Sequence, residues 1–199
     1  MTRIYLVRHG ETAWNQDKRY QGQTDIPLTE KGREQAQRAA ERLAGVGASF
    51  LISSDLSRAL DTAAVIGQRL GLSVISCPLW RERNYGRWEG LTRTEIQNLY
   101  PEEWQQVHKD PVSTAPGGGE ALTELQERSV KAVKRILTEY PGDTGIVVSH
   151  GGLLRALLAW IEGHSQPRYF LDNGGISLVQ GTDVRDLEVV SVNDVSHLL

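Results

Sequence analysis

The sequence predicts an α/β protein, a three-layer α/β/α sandwich around a largely parallel central sheet. Three observations predict it. Short apolar runs at residues 4–7, 50–53 and 145–149 have strand length and are bounded by turn-forming residues. Segments with apolar residues at helical spacing separate those runs, and strand–helix alternation favours parallel pairing with ligands at the carboxyl ends of the strands. The 199 residues suffice for one sizeable core, and no linker or internal repeat divides them.

Residues 4–7 form the first strand, stopped by the Arg8-His9-Gly10 turn. The polar stretch 15–28, with Gly22 and Pro27, reads as a loop beside that strand end. Thr29 caps a helix whose buried face is Ala36, Ala39, Ala40 and Leu43, ended by Gly45 and Gly47. A second strand at 50–53 leads to a helix capped by Ser54 or Asp55, with Leu56, Ala59, Leu60, Ala63, Ile66 and Leu70 as its stripe and Gly71 as its stop. Arg58 lies in the first turn of that helix, off the stripe, facing the strand-end crevice that also holds His9.

Residues 72–76 read as a third strand and 79–91 as a loop carrying Glu82, Gly86 and Gly90. Thr92 with Glu95 makes a capping box for a short helix that Pro101 interrupts or restarts. Residues 111–119 read as a surface loop, and a longer helix follows from about 120 to 140. The most apolar strand, 145–149, runs into His150 and the Gly151-Gly152 opening of a leucine-rich helix. Strands at 176–180 and 187–192 finish the chain around a turn.

Composition narrows the function classes. A net charge of −3 gives no general reason for nucleic acid or an anionic membrane as partner, so any functional positive charge is local. Cys77 is the single cysteine, which rules out an intrachain disulfide and fits a cytoplasmic setting. The apolar run near the start is too short for a signal-peptide core, and no run approaches membrane-spanning length. His108, His164 and His197 have no chemical neighbourhood and read as structural or exposed. The terminal strands or exposed aromatics leave a homodimer open.

Two strand-end histidines, His9 and His150, accompany Arg8 and Arg58. An unprotonated imidazole can attack phosphorus, and arginines grip phosphate through charge-assisted bonds of fixed geometry. His150 would donate to an equatorial oxygen. A zinc site using both histidines lacks a third ligand and would face repulsion from the arginines. The structural alternative is a pair of packing histidines beside ordinary surface arginines.

Larger blocks give the pattern a family. Arg8-His9-Gly10-Glu11-Thr12 with Asn15, Gly22 and Leu28-Thr29, then Ser53-Ser54-Asp55-Leu56-Ser57-Arg58-Ala59 with Thr62-Ala63, then Glu82-Arg83 with Gly86 and Trp88-Glu89-Gly90, and finally Ser149-His150-Gly151-Gly152 stand in order along the chain. This resembles the histidine phosphatase superfamily, in its phosphoglycerate mutase-like branch and most nearly the compact phosphatases.

The resemblance implies one domain over residues 1–199 with region 83–119 as an active-site cap. It implies His9 as the nucleophile that becomes phosphohistidine, with Arg8, Asn15, Arg58 and His150 binding the phosphoryl group. Glu82 is then the proton donor, with Glu11 and Glu89 as rival acids. Neither a metal nor another cofactor is implied. Gln21, Gly22, Tyr85, Trp88 and Asn173 are candidates for the substrate side, where Trp14 and Tyr20 also add aromatic surface.

The implied activity is metal-independent phosphomonoester hydrolysis of a small phosphorylated metabolite. Cofactor-dependent phosphoglycerate mutase is the first alternative, and residues 83–149 lack the dense basic cluster of the larger mutases. A non-catalytic phosphate-binding regulatory module is the second. The substrate stays open among alpha-ribazole phosphate, phosphoglycerates and sugar phosphates.

Overall fold

A computed structural model describes residues 1–199. Strand β1 (Thr2–Arg8) lies beside β4 (Thr144–Ser149), which lies beside β2 (Phe50–Ser53) and then β3 (Val74–Ser76), all parallel. On the other side of β1, β5 (Ile176–Gly181) and β6 (Glu188–Asp194) add an antiparallel hairpin. The sheet is therefore mixed but mostly parallel.

Both faces are covered, as side-chain alternation along buried strands requires. Ile4, Leu6, Phe50, Ile52 and Val147 pack beneath helices α6 (Leu122–Glu139) and α7 (Gly151–Ile161). Val7, Leu51, Ile146 and Val148 pack beneath α2 (Glu30–Leu43) and α3 (Ser57–Leu70). The Ala-rich face of α2 lets it lie close to α3, and Thr29 caps it by accepting from the Gly32 N–H.

Three local expectations need correction. Residues 15–28 are not loop throughout, because the Thr12–Asn15 capping box nucleates helix α1 (Ala13–Gln16). Neither Ser54 nor Asp55 caps α3. Leu56 occupies the N-cap, and the first-turn donor Ser57 N–H is met by distant Asp25 at 2.8 Å. A loop 32 residues upstream thus supplies what no local side chain does. The 111–119 segment is also not wholly on the surface, since Pro116 and Gly117 are buried under Gly86 and Trp88.

Between β3 and α6 the chain forms helices α4 (Arg93–Leu99) and α5 (Pro101–Lys109), with Thr92 and Glu95 making the expected capping box and Pro101 restarting the helix. Trp88 is the centre of this region, packed against Trp104 and Tyr20. Backbone bonds tie the region to the loop after β1, from Tyr20 N–H to Leu91 carbonyl (2.9 Å) and from Gly90 N–H to Tyr20 carbonyl (2.8 Å). No helix is long and apolar enough to cross a membrane.

Candidate active site

Register alone brings the two histidines together. Arg8 of β1 pairs with Ser149 of β4, so His9 and His150 are the next residues on adjacent parallel strands. The His9 N–H extends the ladder to the Ser149 carbonyl at 3.0 Å, and the two rings meet edge to face with centroids 5.0 Å apart. Both rings are buried.

His9 has one ring nitrogen committed and one available. Nδ1 lies 2.7 Å from the Gly10 carbonyl, which can only accept, so Nδ1 carries the hydrogen and Nε2 keeps its lone pair. Burial, then the charges of Arg58 and Arg8, hold this imidazole well below its ordinary pKa, so it is neutral at pH 7. Gly10 itself is fixed, its N–H bonded to Thr62 and its Cα set against the Gly32 backbone. A Cβ on Gly10 would come within 2.2 Å of the Gly32 carbonyl oxygen.

Arg58 is fully buried on α3. It donates to the Gly22 carbonyl (2.7 Å), the Thr24 carbonyl (2.8 Å) and His150 Nδ1 (3.2 Å). Arg8 donates to the Leu171 carbonyl, while its buried Nε has no partner. Neither guanidinium forms an ion pair with a carboxylate. Two cations held only by neutral groups, in a place where desolvation is costly, constitute a site built for an external anion.

His150 was expected to donate to a phosphoryl oxygen. In the unliganded cup it does otherwise, because Nδ1 accepts from Arg58 and Nε2 therefore donates to Ser54 Oγ at 2.8 Å. Burial, then Arg58, also holds this ring neutral. Ser54, which the sequence offers as a helix cap and as part of the Ser53–Ala59 motif, is its partner from the neighbouring strand end.

Glu82 lines the same cavity, from the segment after β3. Its Oε1 accepts from the Arg83 and Leu153 N–H groups (2.8 and 3.0 Å) and its Oε2 from the Gly152 N–H (2.9 Å). The carboxyl group thus rests on the N-terminus of α7, where it satisfies first-turn amides that have no partner within the helix. Glycine at 152 leaves room for this seat, since a Cβ there would fall 2.3 Å from Glu82 Oε1 and displace the carboxylate. The rival acids are occupied elsewhere. Glu11 bonds Lys31 and Gln16, and Glu89 accepts from Gln23, Thr24 and Tyr85 backbone N–H groups.

Asn15 Oδ1 accepts from the Thr12 N–H and from Asn173 Nδ2, which leaves the Asn15 amide nitrogen free toward the cavity. Gln21, Gly22 and Tyr85 also line the cavity, whose volume is about 400 Å³. Two substrate-side candidates do not. Trp88 is buried in the core of the 83–119 region, and Asn173 turns inward, donating from Nδ2 to the His9 carbonyl (3.0 Å) and the Gly10 carbonyl (3.3 Å). Asn173 thereby steadies the very carbonyl that fixes the His9 tautomer.

Lys18, Arg155 and Phe170 line the cavity without having been singled out in the sequence. Arg155 had a readable signal, one helical turn after Gly151 on the same face of α7. Lys18 had none, because its place depends on a left-handed backbone at φ 53°. No group of three or more His, Cys, Asp or Glu side chains is arranged to hold a metal ion.

The histidine phosphatase superfamily (branch 1) matches residues 4–195. The chain belongs to that superfamily. It is 36% identical to phosphoglycerate mutase-like protein 4 of Arabidopsis thaliana, across 98% of this chain and 86% of that protein. Its fold superposes on YhfR of Bacillus stearothermophilus with TM-score 0.91 and 32% identity, covering 100% of both chains. A mycobacterial glucosyl-3-phosphoglycerate phosphatase, solved with VO3, gives TM-score 0.85 and 32% identity, covering 96% of this chain and 98% of that one. The protein is accordingly a phosphoglycerate mutase-like hydrolase of the histidine phosphatase superfamily, acting on small phosphorylated compounds.

Proposed function

We propose that this protein hydrolyses phosphomonoesters through a phosphohistidine formed on His9. The observation that carries the reading is a neutral, buried imidazole with a free Nε2, set beside two arginines that no carboxylate neutralises. Such a cup is complementary to a transferring phosphoryl group, whose negative charge is spread over three equatorial oxygens. Two guanidinium groups supply the positive charge, so the chemistry asks for no metal.

In the first half-reaction the His9 Nε2 lone pair forms a P–N bond as the P–O bond to the leaving group breaks. Protonated Glu82 gives its proton to the departing oxygen. Oε2 carries only one of the three backbone bonds and has capacity for that proton. In the second half-reaction the Glu82 carboxylate takes a proton from water, whose oxygen attacks phosphorus and releases inorganic phosphate. His9 is then restored. Arg8, Arg58 and the Asn15 amide hold the equatorial oxygens throughout. His150 joins them when the anion draws the Arg58 Nε away and the ring takes its other tautomer, Nδ1–H donating to a phosphoryl oxygen while Nε2 accepts from the Ser54 hydroxyl.

The 83–119 segment acts as a cap that supplies Tyr85 and closes one side of the cavity. The match to a mycobacterial phosphatase supports hydrolysis, and the mutase-like relative makes isomerisation the reading to exclude.

The test is rapid acid-free quenching of the enzyme with a ³²P-labelled phosphomonoester in EDTA. The expected result is an acid-labile, alkali-stable phosphoenzyme that His9→Ala fails to form, followed by phosphate release. Release without any phosphoenzyme would replace the nucleophile by water. Bisphosphate-dependent isomerisation of phosphoglycerate with little release would select the mutase.

A further inference from the structure

Glu82 lies in a stretch, residues 81–85, that is neither helix nor strand, so no ladder fixes its backbone. The α7 amides seat its carboxyl group, but the chain that carries it needs a separate hold. The Glu82 carbonyl is met from two sides, by Arg128 Nη2 of α6 at 3.1 Å and by the Gln23 side-chain amide at 3.2 Å. The same arginine takes two more carbonyls just upstream. Its Nη1 donates to Leu79 at 2.9 Å and to Arg81 at 2.7 Å.

Glu120 engages the rest of the guanidinium. Its Oε1 accepts from Arg128 Nε and its Oε2 from Arg128 Nη2, both at 2.8 Å. The N–H donors of Arg128 are thereby all committed, three of the bonds going to backbone carbonyls within residues 79–82. The two side chains are only 18% and 15% exposed, so the pair bears a desolvation cost that its two-pronged geometry offsets. Apolar residues would fill this space without that cost, but they could not fix three carbonyls in direction. Glu120 is also tied to the same stretch through its backbone, its N–H donating to the Asn84 carbonyl and its carbonyl accepting from Arg83 Nε, both at 2.8 Å. Neither Arg128 nor Glu120 lines the cavity.

Glu82 is therefore held at two points, its carbonyl by α6 and its carboxyl group by the first turn of α7. A proton donor has to stand within hydrogen-bond reach of the departing oxygen, and small misplacements are costly in rate. We propose that Arg128, locked by Glu120, is the positioning residue for the Glu82 proton donor. It acts on the reaction through Glu82 and touches neither the phosphoryl group nor the leaving group. The inference rests on the acid role given to Glu82 in the phosphatase reading above.

The experiment compares kcat/KM, which reports transfer to His9, for glycerol 3-phosphate and for p-nitrophenyl phosphate. The alkyl ester needs a proton on its leaving oxygen and the nitrophenyl ester scarcely does. The charge of Arg128 also bears on His150, so Arg128→Lys, which keeps the charge and loses the fork, isolates geometry. Arg128→Lys should lower kcat/KM about tenfold more for the alkyl ester than for the nitrophenyl ester, and Arg128→Met at least as much. Inhibition by inorganic phosphate should change by less than about threefold in Arg128→Lys, because the cup of Arg8, Arg58 and His9 keeps its own bonds. Partial unfolding lowers both esters by one factor and leaves their ratio alone. Glu120→Gln, which loosens the guanidinium without removing it, should give the same selective loss at about threefold and serves if Arg128 variants do not fold.

Glu82→Gln in the same assay separates the two levels of the argument. If it discriminates between the esters while the Arg128 and Glu120 variants lose both equally, or lose nothing, the positioning role is overturned and the phosphatase reading stands. If Glu82→Gln itself lowers both esters equally, the acid role is overturned and the positioning role with it.

Discussion

The two halves of the cavity are built on opposite principles. His9, Arg58 and His150 are buried, and each of their ring nitrogens except His9 Nε2 has an assigned partner. On the opposite wall Lys18 and Phe170 are exposed, and the terminal nitrogens of Arg155 are free. Preorganisation is concentrated where charge develops during reaction, because a misplacement there is paid for in rate. On the proposed reading the outer wall only receives the leaving group, so few bonds define it. Chemistry is read from the rigid half and specificity from the loose one.

The sharpest way to break this contrast is Arg58→Met. Its expected loss in kcat/KM is on the order of 10³-fold, since it removes donors aimed at the transferring group. Relief from burying an unpaired charge offsets part of the cost of leaving the Gly22 and Thr24 carbonyls and His150 Nδ1 without their donor, so stability should fall by no more than about 1–3 kcal/mol. Urea unfolding and kinetics on one preparation check both. A strongly destabilised variant would mean that Arg58 serves the fold rather than an anion.

Gly152→Ala tests the seat of Glu82. The added methyl would stand 2.3 Å from Glu82 Oε1, so the carboxylate has to leave its seat on the α7 amides. The expected loss in kcat is about 10²-fold, the usual contribution of a positioned proton donor. It should be larger for alkyl esters than for p-nitrophenyl phosphate, whose leaving oxygen needs little proton assistance. Equal losses on both would separate Glu82 from proton transfer.

The buried half also has a titration signature. His9 and His150 stay neutral in the folded protein below the ordinary histidine value of 6.5, whereas the unfolded chain takes up protons there. Stability is then fully present above pH 6.5 and falls as pH drops below it, by up to about 1.4 kcal/mol per pH unit for each histidine. His150→Gln should flatten that slope by about one proton relative to wild type. Parallel slopes from urea titrations between pH 4.5 and 7.5 would show that the ring is protonated in the fold.

Phe170→Ala should do least. At 72% exposure the side chain contributes little to the core, so stability should change by less than about 0.5 kcal/mol. A few-fold change in KM with kcat unchanged is the expected kinetic result. A large fall in kcat would extend the rigid half into the outer wall.

What was legible in the sequence follows the same division. The strand ends, Thr29, the Thr92–Glu95 box and the two histidines are local signals, and neighbouring residues suffice to produce them. The cap of α3 was missed because Asp25 reaches it across the fold. Trp88 and Asn173 were placed at the substrate side because an aromatic and an amide near a loop carry no sign of which way they face. Burial decides one, and two backbone carbonyls decide the other. Arg155 was passed over amid the leucines of its helix, although spacing from Gly151 put it on the reactive end.

The backbone bonds that join Tyr20 to Gly90 and Leu91 have a consequence for traffic. Any outward swing of residues 83–119 would have to break both of them, exposing two amides and two carbonyls that the closed arrangement satisfies.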